Sequence, residues 1–251
     1  MKKLSFLTTS LVALTLTLGI ISNVSKAQAA SLVPQQEGEV DLTNLNCLDA
    51  TQCITDTDSN YGYKVTSIDF DGTGKYGLSR LFVDKKGTSN TYSGSGLTIN
   101  FGKQDRGTNS ALNKFWLRPV AITEAGVAPE KGELEVGRFR FDFASEISEM
   151  ELSFLDVEDS GITGIVGGSY GSLTPSAILP GTANNAIQTL KLTKVKSLEV
   201  MLGNGNSPRF STGDGVLLSA TKVPEPTTVL GLGAIVVASA FGLRRQKGLV
   251  K

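Results

Sequence analysis

Between Tyr61 and Lys222 a series of short runs places apolar residues at every second position, and no long stretch of this region carries the three-to-four spacing of an amphipathic helix. Alternate side chains of an extended chain point to opposite faces, so this pattern asks for strands with one buried and one wet face. Val65 to Phe70 is β-rich and stops at Asp71-Gly72, and Leu97 to Phe101 alternates between Gly96 and Gly102. Met150, Leu152 and Phe154 alternate with Glu149, Glu151 and Ser153. Leu190 and Leu192, then Leu198, Val200 and Leu202, do the same, and Val216 to Thr221 reads as the last strand. Leu134 and Val136 occupy even positions and Phe139, Phe141 and Phe143 odd ones, so the phase slips at Gly137, as it does at a β-bulge. Turns rich in Gly, Asn, Asp and Pro separate these runs. The pattern predicts an all-β domain over 61–222, an antiparallel β-sandwich that is jelly-roll-like. Residues 30–60 are polar and irregular and predict a loosely held N-terminal segment.

The 251 residues contain no histidine. That removes the commonest general base and transition-metal ligand, and with it Ser-His-Asp and Cys-His catalysis. The two cysteines, Cys47 and Cys53, sit six positions apart, a spacing that suits a small-loop disulfide in an oxidising compartment better than a redox Cys-x-x-Cys pair.

Both ends differ from the middle. Lys2 and Lys3 precede an apolar stretch from Leu4 to Ile21, and Ala27-Gln28-Ala29 is a small-x-small cleavage pattern. Residues 1–29 therefore read as a signal peptide, cut by signal peptidase so that the mature chain begins at Ala30; an uncleaved anchor is the alternative. At the other end Val223-Pro224-Glu225-Pro226 precedes 17 uncharged residues, 227–243, and then Arg244, Arg245 and Lys247. As a helix that span measures about 25 Å, a little under a bilayer's hydrocarbon core of about 30 Å, so it crosses with slight thinning. The terminal cations stay cytoplasmic and the body lies outside. The two prolines hold the motif extended beside the membrane. A plain anchor and a buried core helix are the alternatives. Without residues 1–29 and 227–251 the chain keeps 17 Lys and Arg against 24 Asp and Glu, a net charge of −7. An acidic body disfavours nucleic acid and anionic polymers and tolerates divalent cations or neutral glycans.

The order of motif, span and basic end from Val223 to Gly248 resembles the PEP-CTERM sorting signal. The resemblance implies recognition and cleavage near Pro224-Glu225-Pro226 by an intramembrane exosortase in a Gram-negative host, often one that makes extracellular polysaccharide. Leu134-Glu135-Val136-Gly137 ahead of Arg138-Phe139 also resembles the cyanobacterial LEVG family of such proteins, which carries no activity to transfer.

Other constellations are weaker. Asp56, Asp58 and Asn60 place oxygens at the first, third and fifth positions of a calcium loop, but glycine comes one place late and the twelfth residue, Ser67, is not acidic. Asp156, Glu158, Asp159 and Asp214 are a second oxygen-rich group at expected loop ends, and solvated loop carboxylates are the plain alternative in both cases. Glu149 and Glu151 lie on one strand face roughly 6.5–7 Å apart, a separation a glycosidase could use and any wet sheet face also shows. Gly72 to Gly77 fits G-x-G-x-x-G, yet a strand, not a helix, is expected to follow. These features predict an exported, non-catalytic structural protein of the cell surface or matrix, with no required cofactor. A glycan-binding module, with calcium as an optional ligand, is the alternative.

Overall fold

The computed structural model describes residues 29–70, 72, 76–102, 114–128, 135–204 and 217–223. In chain order the strands are β1 (Ala30–Ser31), β2 (Gly38–Val40), β3 (Cys53–Ile54), β4 (Tyr63–Ile68), β5 (Arg80–Lys85), β6 (Asn90–Gly94) and β7 (Leu97–Phe101). They continue as β8 (Phe115–Val120), β9 (Gly137–Leu155), β10 (Gly164–Ser169), β11 (Leu173–Thr174), β12 (Ile187–Leu202) and β13 (Leu217–Val223). Among the described residues helix is confined to two short turns, Ala50–Gln52 and Thr57–Tyr61. Eleven strands form one sheet in the order β10-β12-β9-β13-β8-β5-β2-β3, with β1 on β13, β11 on β12 and β4 on β9. The sheet is mixed because β2 and β3 run parallel, whereas every other pair is antiparallel.

Two long strands organise it. β9 has 19 residues and β12 has 16, and they pair along their whole length. The first part of β9 also pairs with β4 and the last part with β13. Between these parts Phe143 to Glu146 stand opposite Lys196 alone, and Lys194 turns left-handed at φ 51°. Beside Lys194, after Ile147, the buried set of β9 shifts from the odd positions Phe139, Phe141 and Ile147 to the even positions Met150, Leu152 and Phe154. Residues from both parts, Tyr63, Phe141 and Val200 from one and Leu117, Leu152 and Ala220 from the other, line one small apolar cavity, so the sheet doubles over onto itself. The inward faces make one core, with Phe139, Phe154, Leu190, Leu198, Val200 and Leu218 at its centre.

The phase slip expected at Gly137 is the start of β9 and not a bulge within a strand. Glu135 and Val136 precede it and are buried. Gly137 is needed for close packing, since a Cβ there would stand 2.4 Å from the Phe139 ring. The pairing irregularity lies farther on, at Phe143 to Glu146.

Residues 30–60 are not loosely held. Leu32, Val33, Val40, Leu42 and Ile54 belong to the main core, and the Tyr63 hydroxyl donates to Leu32 O at 2.8 Å. Their strands have only two or three residues each and pair with partners remote in sequence, so no local alternation announces them.

β6 and β7 form a separate hairpin whose turn, Ser95-Gly96, has φ of 50° and 80°. Two left-handed residues match the twist of a tight hairpin, and glycine takes the second without cost. The hairpin packs Tyr92, Ile99 and Phe101 on Phe82 and Val120, with the Tyr92 and Phe101 rings 4.8 and 5.1 Å from that of Phe82.

Candidate functional site

The outward face of β13, β9 and β12 carries two transverse polar rows. Register places Thr221 opposite Glu151 and Glu151 opposite Lys191; two residues along, Ser219 faces Ser153 and Ser153 faces Thr189. Lys191 Nζ lies 3.7 Å from Glu151 Oε2, Thr221 donates to Glu151 O at 3.4 Å, and the Ser153 and Thr189 hydroxyls are 3.4 Å apart. Beyond β13, Ser31 on β1 and Phe115 and Trp116 on β8 flank the rows, and with Gln35 and Lys114 they complete the lining of an open groove of about 430 Å³. Ile187, 46% exposed, adds an apolar edge. The Gln35 side chain is fixed by donating to Val33 O at 2.7 Å and Ser31 Oγ at 3.2 Å. Trp116 is nearly buried against Leu155, so its ring forms part of the wall and offers little open face. The lining offers the hydroxyls of Ser31, Ser153, Ser219 and Thr221, the Gln35 amide, the Glu151 carboxylate and the Lys114 ammonium, a mixed polar set that suits a ligand rich in hydroxyl groups.

The expected site residues fall in several places. Cys47 and Cys53 form a disulfide with a Cα–Cα distance of 5.8 Å. Asp41 approaches both sulfur atoms, but bonded sulfurs are not thiolates and cannot serve as metal ligands. Asp56, Asp58 and Asn60 lie in and just before the turn Thr57–Tyr61. The Asn60 amide donates to Asp56 and Lys64 pairs with Asp58 at 3.5 Å, so the three side chains already have partners. Asp156 is buried at the end of β9, where its Oδ1 accepts from Asn185 N at 2.6 Å. Asp159 accepts from Asn204 at 3.0 Å. Glu149 and Glu151 share the outer face of β9, with Glu151 held by Lys191. Ala29, Ala30 and Val223 are described. Ala27, Asp214, Pro224, Glu225, Pro226, Arg244, Arg245 and Lys247 lie outside the described residues, as do residues 1–28 and the span 227–243. Among the described residues no helix is long and apolar enough to cross a membrane.

A buried charge cluster went unread in the sequence. Arg118 on β8 is wholly enclosed; its Nε is 2.6 Å from Glu135 Oε1 and its Nη1 donates to Asp84 Oδ2 at 2.9 Å. Its guanidinium also lies 4.2 Å from the centre of the Phe101 ring, a cation–π contact. Nearby, Arg80 pairs with Glu39, whose other oxygen accepts from Leu48 N at 2.6 Å. Burial raises the Asp84 carboxyl above its ordinary value, against the pull of Arg118. Burial likewise raises Glu39, against the Leu48 amide and Arg80. These groups tie the β6–β7 hairpin and the segment around Glu135 to the sheet.

No family model, curated protein or solved structure matches the chain.

Proposed function

We propose that this is an exported cell-surface or extracellular-matrix protein with a non-catalytic, structural role, sorted and processed by an exosortase through Val223 to Gly248. The observation that carries this reading is the order of Pro-Glu-Pro, uncharged span and basic end at one terminus, opposite a leader with a small-x-small cut at the other. The Cys47–Cys53 disulfide suits delivery to an oxidising compartment. The doubled sheet is read as a jelly-roll-like sandwich that serves as the delivered body. In the native host a Glu225→Ala variant is expected to accumulate as uncleaved, membrane-bound protein. Processing of that variant at the parent's rate rules out the exosortase assignment.

The polar groove favours a second reading, a module that binds neutral glycans. Ser219, Ser153 and Thr189 stand across three neighbouring strands at roughly 4.8 Å steps, with Thr221 two residues along β13 from Ser219, and hydroxyl-rich chains can bridge such a row. A ligand selective for the folded state raises its melting temperature. Melts with a panel of neutral polysaccharides, each with calcium and with EDTA, test this; no shift with any of them removes it.

A further inference from the structure

Cys47, Cys53 and Asp41 converge at the β2–β3 end of the sheet. The two strands run parallel with Glu39 opposite Cys53, and just past β2 Asp41 N donates to Ile54 O at 3.0 Å. A carboxylate oxygen of Asp41 and the two sulfurs lie within 4.8 Å of one another. Asp41 is exposed and both cysteines are half-buried, so solvent reaches the group.

The segment between the cysteines has tethers besides the disulfide. Leu48 N donates to Glu39 Oε2 at 2.6 Å, and the Leu48 side chain belongs to the apolar cluster of Phe82 and Tyr92. Asp49 Oδ1 accepts from Thr51 N at 2.8 Å and from Thr51 Oγ1 at 2.7 Å, and Asp49 Oδ2 accepts from Gln52 Nε2 at 3.0 Å. Gln52 Nε2 also donates to Thr91 O on β6 at 3.3 Å. With the bond cut, these contacts hold the two Cα atoms near their present 5.8 Å, and both thiols stay beside Asp41. Tetrahedral zinc, with Zn–S of about 2.3 Å, spaces two sulfurs about 3.8 Å apart, which side-chain rotation reaches from such a backbone.

We infer that reduction of Cys47–Cys53 uncovers a site for one soft divalent cation, zinc or cadmium, held by two thiolates and the Asp41 carboxylate with water in the fourth position. While the bond stands there is no thiolate to offer, so oxidation closes the site and expels the ion. A dithiol or glutathione-type reductant supplies the two electrons: its thiolate attacks one sulfur, the S–S bond breaks, and the reductant leaves as its own disulfide. Each cysteine sulfur takes a proton, which the metal then displaces to solvent. Thiolate ligands select such an ion over calcium or magnesium. Linkage makes the coupling mutual, so the ion favours the reduced form as strongly as reduction favours the ion.

The test titrates the purified full-length protein, reduced with a phosphine and kept free of oxygen, with Cd²⁺ and separately with Zn²⁺. Cadmium uptake is read from the thiolate-to-metal charge-transfer band and zinc uptake from competition with a chromophoric chelator. The reduced parent is expected to take up one ion and the oxidised parent none. Reduced Asp41→Ala should bind at least about tenfold more weakly. Free Zn²⁺ at about a hundred times its dissociation constant should make the bond about a hundredfold easier to reduce, a rise of about 60 mV in midpoint potential. No uptake by the reduced parent, or a midpoint that zinc leaves in place, overturns the proposal. Uptake that Asp41→Ala does not weaken overturns it as well, since two thiols would then bind without the folded site.

Discussion

Arg118 and Glu135 meet at 2.6 Å with neither side chain reached by solvent, one from the middle of β8 and the other two residues before β9 begins. Asp84 completes the group from β5. An ion enclosed in this way is tolerated only while its partners are present. Glu135→Ala is expected to destabilise the fold by roughly 3–5 kcal/mol, because it leaves Arg118 enclosed with part of its countercharge gone. Urea denaturation of the purified protein measures this. A loss under about 1 kcal/mol, the range of an exposed pair, would mean that water reaches the cluster.

Glu39 and Asp84 give a pH signature. Their ordinary values are 4.5 and 3.8, and both are raised in the fold, chiefly by burial. The folded state then holds protons that the unfolded chain has released. The stability they contribute is fully present below the ordinary values and is lost as pH rises through the folded ones. Glu39→Gln removes one of the two titrations. The melting temperature of the variant relative to the parent should therefore climb as pH rises from about 4. A difference that stays flat or falls over that range contradicts the assigned direction.

Gly94 lies where the hairpin β6–β7 crosses the segment before β3. A Cβ there would stand 1.9 Å from Leu48 O, a backbone atom that cannot swing aside. Gly94→Ala is expected to cost roughly 1–3 kcal/mol and to raise hydrogen exchange in 90–101 ahead of the main sheet. Uniform protection in the variant would show that the hairpin does not loosen by itself.

Reduction of Cys47–Cys53 opens a loop with a sequence separation of 6, which stabilises by about 2 kcal/mol on chain-entropy grounds. The bond sits beside the parallel pair β2–β3 at the end of the strand order. A Cys47→Ser/Cys53→Ser variant should melt lower, with new exchange concentrated at Gly38–Val40 and Cys53–Ile54. Loss of the whole fold on reduction would show that this edge anchors far more than its own strands.

The strands legible in the sequence were those long enough to show alternation. Met150 to Phe154, Leu190 to Leu192 and Leu198 to Leu202 face as their spacing requires, because one side of each packs into the core. That β9 and β12 run unbroken through the bend was not legible, since a chain that changes phase looks like two strands when its partner is unknown. Arg118 and Asp84 were hidden for a related reason. A charge on an alternating strand reads as a wet face, and only the β6–β7 hairpin, brought over from elsewhere in the chain, makes that face dry. Glu135 belongs to the tetrapeptide Leu134-Glu135-Val136-Gly137, yet nothing local marks its carboxylate as the partner of a residue on another strand. The groove needed register: Thr221, Glu151 and Lys191 are far apart in the chain and meet only through two ladders.

Because β9 and β12 are shared by both halves of the doubled sheet, neither half has a boundary at which it could come away. Damage along these two strands reaches both halves of the doubled sheet at once. The β6–β7 hairpin and the β2–β3 edge can open first, but the β9–β12 pair has no half that survives the other, so a protease that enters it digests the whole core.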